Sequence, residues 1–208
     1  RRGSVRIACS QALAHDFLPE QIAAFRQRHP LMSFDVNVAD HENAIALLVN
    51  YDVDLILVFR PPFIARLRPL MTLPQRVVAL LPADHPLAAR PSVRLADCAS
   101  YPLALSERTT GGRQMIEERI SRSGLRFSVV AQSNSFELLR GLVVHCGFIS
   151  FQIEVGAQER AMPSGIVVRP VDSRELPRAV LVLGQMRGRG LALAGGQFAG
   201  DRTRALRT

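Results

Sequence analysis

Hydrophobic and polar positions alternate along this chain in two periods, and the switches between them outline its elements. Ser4 to Cys9 (SVRIAC) alternates and then turns apolar, which predicts a strand. Ser10-Gln11-Ala12 supplies a turn. Phe17, Leu18, Ile22 and Phe25 then recur at helical spacing, predicting a helix through about His29 that Pro30 ends. In Ser33 to Ala39, Phe34, Val36 and Val38 alternate with Asp35 and Asn37, the pattern of a half-buried strand. Asp40 is placed to cap a helix from His41 to Asn50 whose apolar face is Ile45, Leu48 and Val49. Val53 to Phe59 is a near-continuous apolar run, a strand covered on both faces, and Arg60-Pro61-Pro62 breaks it. This βαβαβ order predicts a mostly parallel sheet.

The stretch from Arg66 to Leu87 separates this alternation from a second one. Pro69, Pro74, Pro82 and Pro86 exclude a helix interior there, because each lacks an N–H donor and restricts the residue before it. Val77 to Leu81 is an apolar run suited to a buried strand, read as the crossover into a second lobe. Further strands are expected at Tyr101–Leu105, Phe127–Ala131, Phe148–Phe151 and Ile166–Val168. Helices are expected at Arg113–Ser123, Phe136–His145 and, briefly, Gln152–Arg160. Ala179–Leu183 is a buried strand read as returning to the first sheet, and residues 191–206 form a weak helix interrupted by glycines. The fold class is therefore α/β with two Rossmann-like lobes: lobe I from residues 4–68 plus about 175–208, and lobe II from 69–174. Crossover strands lie near 69–82 and 166–180. Two lobes joined by strands create a ligand cleft between them, where small molecules bind.

The 208 residues suffice for two lobes with real cores. Hydrophobic residues make up 48 %, which excludes a disordered chain. No run is long and apolar enough to span a membrane. The net charge of +8 suggests nucleic acid at first. Yet all 26 basic residues are Arg and none is Lys, and apart from Arg187 to Arg207 they are scattered, which fits a coding bias better than a phosphate-binding surface. Cys9, Cys98 and Cys146 are far apart with no metal-site spacing, as expected for reduced thiols of a cytoplasmic protein. The chain opens on Arg1-Arg2-Gly3-Ser4 without an initiator Met or a leader, which reads as a piece of a longer or processed polypeptide.

Candidate chemistry gathers where strands end. In open α/β sheets ligands bind outside the carboxyl ends of strands, where helix N-termini offer free N–H groups that suit carboxylates. Ser10 and Gln11 follow the first strand, His41 the second and Arg60 the third. Ser106, Thr109 and Thr110 follow a strand of the second lobe, and Asn134 and Ser135 precede its next helix. Ser10, Asn134 and Ser135 serve equally as helix caps. His41 serves equally as an exposed helix-start residue, and Arg60 as half of a surface ion pair. Thr109-Thr110 before Gly111-Gly112 is the strongest anion-binding pattern, because small residues let N–H groups approach. Arg60 and Arg108 add positive potential. Phe148 either narrows the pocket or packs into the core of lobe II. No acid–base set, nucleophile motif or phosphate-cradling loop is present, so no enzyme, cofactor or metal is expected.

Four landmarks together resemble the effector-binding domain of LysR-type transcriptional regulators. They are Val5-Arg6-Ile7 with Leu18-Pro19, Phe25-Arg26 and His29-Pro30; then Val53-Asp54-Leu55-Ile56. Next come Leu81-Pro82 with His85-Pro86-Leu87-Ala88, Leu95-Ala96-Asp97 and Tyr101-Pro102-Leu103; and last Leu138-Leu139 to Val143. The family's Gly-x-Gly is reduced here to Cys146-Gly147-Phe148. The resemblance implies a fold like the type 2 periplasmic binding proteins and a small, anionic effector between the lobes. It also implies a homodimer or homotetramer, with DNA bound only by a winged helix-turn-helix domain that this chain lacks. A homodimer through the helix after Pro19 is expected from its consecutive apolar residues Ile22 to Phe25 as well. The alternative from another class is the solute-binding protein of a transporter.

Overall fold

The computed structural model describes residues 3–188; the expected helix at 191–206 and most of the C-terminal Arg cluster lie outside them. The chain divides into two compact units. Unit 1 holds residues up to Pro74 together with the segment from Val180, and unit 2 runs from Gln75 to Ala179.

Unit 1 is a five-stranded sheet. Its strands are β1 (Gly3–Cys9), β2 (Met32–Val38), β3 (Leu55–Phe59), β4 (Leu67–Gln75) and, after the excursion through unit 2, β10 (Ala179–Met186). Their order is β2-β1-β3-β10-β4. β1 pairs in parallel with both β2 and β3, and β10 runs antiparallel to β3. All five residues of β3 are buried, as its unbroken apolar run requires. Two helices follow β1 where one was expected: α1 (Gln11–Ala14) and α2 (Phe17–Arg28), separated at His15 and Asp16. α3 (His41–Val49) is capped as predicted, the Asp40 carboxylate accepting the Asn43 N–H at 2.8 Å.

One expectation about β2 fails. Its alternation predicts that Phe34, Val36 and Val38 face a core, but Val36 and Val38 are exposed and Phe34 is half-buried. The strand is the edge of the sheet, so its apolar side outruns the helices available to cover it. Gly184 in β10 marks a close approach: a Cβ there would stand 2.8 Å from the Leu67 side chain of β4.

Unit 2 is built from two small sheets. β5 (Val77–Pro82), buried along its whole length, is the centre of the order β8-β5-β9, with β8 (Ser150–Ile153) and β9 (Ile166–Pro170) antiparallel to it. β6 (Pro102–Ser106) and β7 (Ser128–Ser133) form a parallel pair whose register shifts between Leu103 and Ala104. α4 (Leu95–Cys98), α5 (Gly111–Ser123) and α6 (Phe136–Cys146) complete it. α6 packs Val143 against Val78 and Leu80 of β5. It stops at Gly147, whose φ of +72° favours glycine and whose N–H donates to the Val143 carbonyl at 3.2 Å.

The expected helix at Gln152–Arg160 is absent. Gln152 belongs to β8, and Glu154–Gly156 and Glu159–Ala161 are single 3₁₀ turns. The strand expected at Phe148–Phe151 is β8, which starts two residues later and continues through the buried Gln152 to Ile153. No helix of the described residues is long and apolar enough to cross a membrane.

Candidate functional site

In each unit the topology collects predicted residues at one end of a parallel sheet. In unit 1, Cys9 is in register with Val38 of β2 and Leu57 of β3. The residues that follow these strands, Ser10, His41 and Arg60, therefore leave the same edge. Backbone bonds fix the turns: Ser10 N–H donates to the Leu57 carbonyl at 3.4 Å, Ala39 N–H to Cys9 at 3.0 Å, and Arg60 N–H to Val180 at 2.8 Å. Ser10 occupies the cap position of α1 yet its hydroxyl makes no cap bond, and Gln11 is the first residue of that helix. Both are half-buried. Arg60 adopts φ +52°, a left-handed conformation costly for a residue with a side chain. The reading of His41 as an exposed helix-start residue is overturned, for it is only 6 % exposed.

In unit 2, Ser106 and Ser133 are in register at the carboxyl ends of β6 and β7. Ser106 is buried, and its hydroxyl meets the Thr110 hydroxyl at 2.9 Å. Thr110 caps α5, accepting the Arg113 N–H at 3.2 Å while its hydroxyl donates to the Glu107 carbonyl at 3.2 Å. Ser135 caps α6, accepting the Leu138 N–H at 3.2 Å. Asn134 is exposed and leaves that task to Ser135. The Thr109 hydroxyl oxygen is buried without a hydrogen-bond partner among the described residues. A buried polar atom of this kind is costly unless a ligand or water completes it. Phe148 is half-buried just ahead of β8, in neither the deep core nor open solvent.

The sequence reading missed Arg113. Its side chain is 2 % exposed. One guanidinium nitrogen donates to the Ser106 carbonyl at 2.7 Å and to Gln132 Oε1 at 3.2 Å, and another pairs with Glu117 at 2.6 Å. The guanidinium thus ties β6, β7 and α5 together directly beneath the Ser106–Thr110 turn. The signal in the sequence was positional: Arg113 shares a helical stripe with the buried Ile116. Arg108, expected to add potential at the strand ends, lines a lateral groove along α5 and β7.

Thiol chemistry is suppressed where the structure buries it. Burial pushes the Cys9 thiol, beneath Ser10, up to about 12, and does the same to Cys98. Neither supplies a thiolate at neutral pH. Cys146 is exposed at the end of α6.

The family model described as LysR substrate binding domain matches residues 1–194. Among curated proteins, the RuBisCO operon transcriptional regulator of Allochromatium vinosum is 32 % identical over 59 % of this chain and 40 % of its own length. The transcriptional dual regulator GltC of Bacillus subtilis is 27 % identical over 68 % of this chain and 48 % of its own. The chain thus spans less than half the length of these relatives. Two solved structures share the fold over 99 % of this chain and 97 % of theirs. They are the effector-binding domain of QuiR in complex with shikimate (TM-score 0.82, 18 % identity) and the regulatory domain of Synechocystis PCC6803 CcmR in complex with 2-PG (TM-score 0.83, 20 % identity). The fold is thereby of the type 2 periplasmic-binding-protein kind.

Proposed function

The chain belongs to the LysR substrate-binding domain family, and on that premise we propose that it is the sensor domain of a bacterial transcription regulator, responding to a small carboxylate. The observation that carries this reading is the Thr109 hydroxyl oxygen, buried without a hydrogen-bond partner among the described residues at the N-terminus of α5, where helix N–H groups favour an anion. Ser10, Gln11, His41 and Arg60 give unit 1 a polar set at the corresponding strand ends. Two structural neighbours are complexes with shikimate and 2-PG, which supports a small anionic effector here. The curated relatives are transcriptional regulators, which favours this reading over a transporter's solute-binding protein and over an enzyme. DNA contact would belong to another part of the regulator, which acts in the cytoplasm.

A homodimer through α2 is part of the proposal. Phe25 is in the core with Phe17 and Leu18, as its place on the apolar face predicts, while Ala23 and Ala24 are exposed and Ile22 is half-buried. Exposed Val36 and Val38 of β2 extend the apolar surface in the same unit. Light scattering at micromolar concentration tests it: a dimer is expected, and a monomer would remove this part.

The effector site is tested by screening carboxylates for shifts in melting temperature, then measuring the hit's affinity for Thr109→Val and Arg60→Ala. Each loses one hydrogen-bonding group, so roughly ten- to a hundred-fold weaker binding is expected. Unchanged affinity in both variants would place the effector elsewhere.

A further inference from the structure

The hydroxyls of the unit 2 turn can be assigned their protons. A hydroxyl donates one hydrogen and accepts two. Thr110 Oγ1 accepts the Arg113 N–H at 3.2 Å, and lies 2.9 Å from Ser106 Oγ and 3.2 Å from the Glu107 carbonyl oxygen. A carbonyl only accepts, so that bond takes the Thr110 proton, and the 2.9 Å bond then takes the proton of Ser106. In the opposite arrangement Thr110 donates to Ser106. The Glu107 carbonyl then loses the O–H, and the proton of a serine that is only 7 % exposed has no acceptor in the turn. A buried donor left unmade is the costlier choice. The relay therefore runs from Ser106 to Thr110 to the Glu107 carbonyl, and it fills Thr110 completely.

Ser106 is left with acceptor lone pairs alone. The carbonyls next to it are occupied. Its own accepts the Arg113 guanidinium at 2.7 Å, and that of Glu107 accepts both the N–H and the O–H of Thr110 at 3.2 Å. The other groups of the turn are donors. The Thr109 hydroxyl is buried without a partner among the described residues. The N–H groups of Gly111 and Gly112 open α5, too early to reach a carbonyl of their own helix. Ser133, in register with Ser106, accepts the Ser135 N–H at 3.0 Å and spends a lone pair there, not its proton. A bare carboxylate answers these donors but brings nothing to the Ser106 lone pairs.

We propose that the ligand of this turn is a hydroxycarboxylate, and that Ser106 is the residue that reads its hydroxyl. This rests on the carboxylate reading above and narrows it. The carboxylate takes Thr109 and the first N–H groups of α5, and the ligand hydroxyl donates to Ser106 Oγ. A plain carboxylate leaves that buried acceptor without a donor. An amino acid is a poorer match too: one open acceptor satisfies one of three ammonium protons, and the positive end of α5 opposes the charge.

The test titrates two matched series into the isotope-labelled 208-residue chain and follows the amide signals of Thr109 to Gly112. One series is lactate, propionate, alanine and 2-fluoropropionate; the other is mandelate, phenylacetate, phenylglycine and α-fluorophenylacetate. In the series whose skeleton fits, the hydroxy acid should bind roughly ten-fold tighter than its deoxy partner. The fluoro acid, of similar size but unable to donate, should bind like the deoxy acid. Ser106→Ala should cancel the preference, whereas Thr109→Val should weaken hydroxy and deoxy acids by the same factor. If Ser106→Ala loses the dispersed spectrum of a folded chain, the fluoro comparison in the wild type decides alone. Equal binding of hydroxy and deoxy acids, a fluoro acid that matches the hydroxy acid, a preference that survives in a folded Ser106→Ala, or tightest binding by the amino acid overturns the proposal and leaves the carboxylate reading standing. If no acid moves these signals, the carboxylate reading of the turn falls and this proposal with it.

Discussion

Unit 1 and unit 2 place polar residues at the same point of the same motif, the carboxyl ends of parallel strands, but hold them by different means. In unit 1 the turns after β1 and β3 carry backbone bonds, and the turn after β2 is capped by the Asp40 side chain. Ser10 makes no cap bond, and Arg60 sits in a left-handed conformation fixed by its N–H to Val180. In unit 2 side chains hold the site: Thr110 and Ser135 both cap, and Arg113 reaches from α5 to β6 and β7. The sheets explain the difference. Five hydrogen-bonded strands support the unit 1 turns. The β6–β7 pair of unit 2 is only two strands wide and shifts register, so it relies on side chains to keep its strand ends in place.

Removing the main side-chain tie should show this most strongly. Arg113→Met preserves the apolar stem but leaves the buried Ser106 carbonyl and the Gln132 side chain without their donor. A loss of about 1.5–3 kcal/mol is expected, the scale for a hydrogen bond to a charged group. Hydrogen exchange should accelerate in β6, β7 and α5 and stay unchanged in β1 to β3. An equal loss of protection in both units would mean that they do not differ in this way.

Cap removal sharpens the comparison at smaller scale. Thr110→Ala should cost about 1 kcal/mol in denaturant unfolding, the usual value for a lost N-cap. Ser10→Ala at the equivalent point of unit 1 should change stability by no more than about 0.5 kcal/mol. Equal costs would show that Ser10 caps α1 in solution.

The smallest effect is pH dependence, and it too should fall on unit 2. Burial lowers the His85 pKa below its ordinary 6.5, against the pull of Asp84. Its neutral Nδ1 accepts the Leu87 N–H at 3.1 Å, and its ring packs on Tyr101. Because the folded state binds the proton less well, the stabilisation is complete above pH 6.5 and is lost as pH falls through the folded-state value. Asp97 behaves likewise at lower pH. The hydrogen bond from Arg94 holds its carboxyl below the usual 3.8, so its contribution is present above 3.8 and lost as pH falls through the lowered value. The protection factors of the Leu87–Ala89 amides, relative to intrinsic exchange at each pH, should fall between neutral pH and mild acid in the wild type, and this pH response should vanish in His85→Asn. A response that persists in the variant would assign it to another group.

Much of the fold was legible because burial writes a periodic signal. The parallel β1, β2 and β3, the buried β5 and the helices α3, α5 and α6 all follow from spacing, caps and turn residues. The same residues located both strand-end clusters, since a strand that stops at a polar turn is visible in sequence. Three features were decided only in three dimensions. The valines of β2 alternate correctly, yet edge position left them exposed, and strand order is not encoded in alternation. The strand expected at Phe148–Phe151 runs instead from Ser150 to Ile153, because Gln152 is buried in the sheet despite its polar side chain. Arg113 looked like any helical arginine, and its role depends on partners 7 and 19 residues away in the chain. Periodicity records how each residue meets the core or solvent. It does not record which distant residue it meets, because that is set by the packing of elements that sequence neighbours do not share.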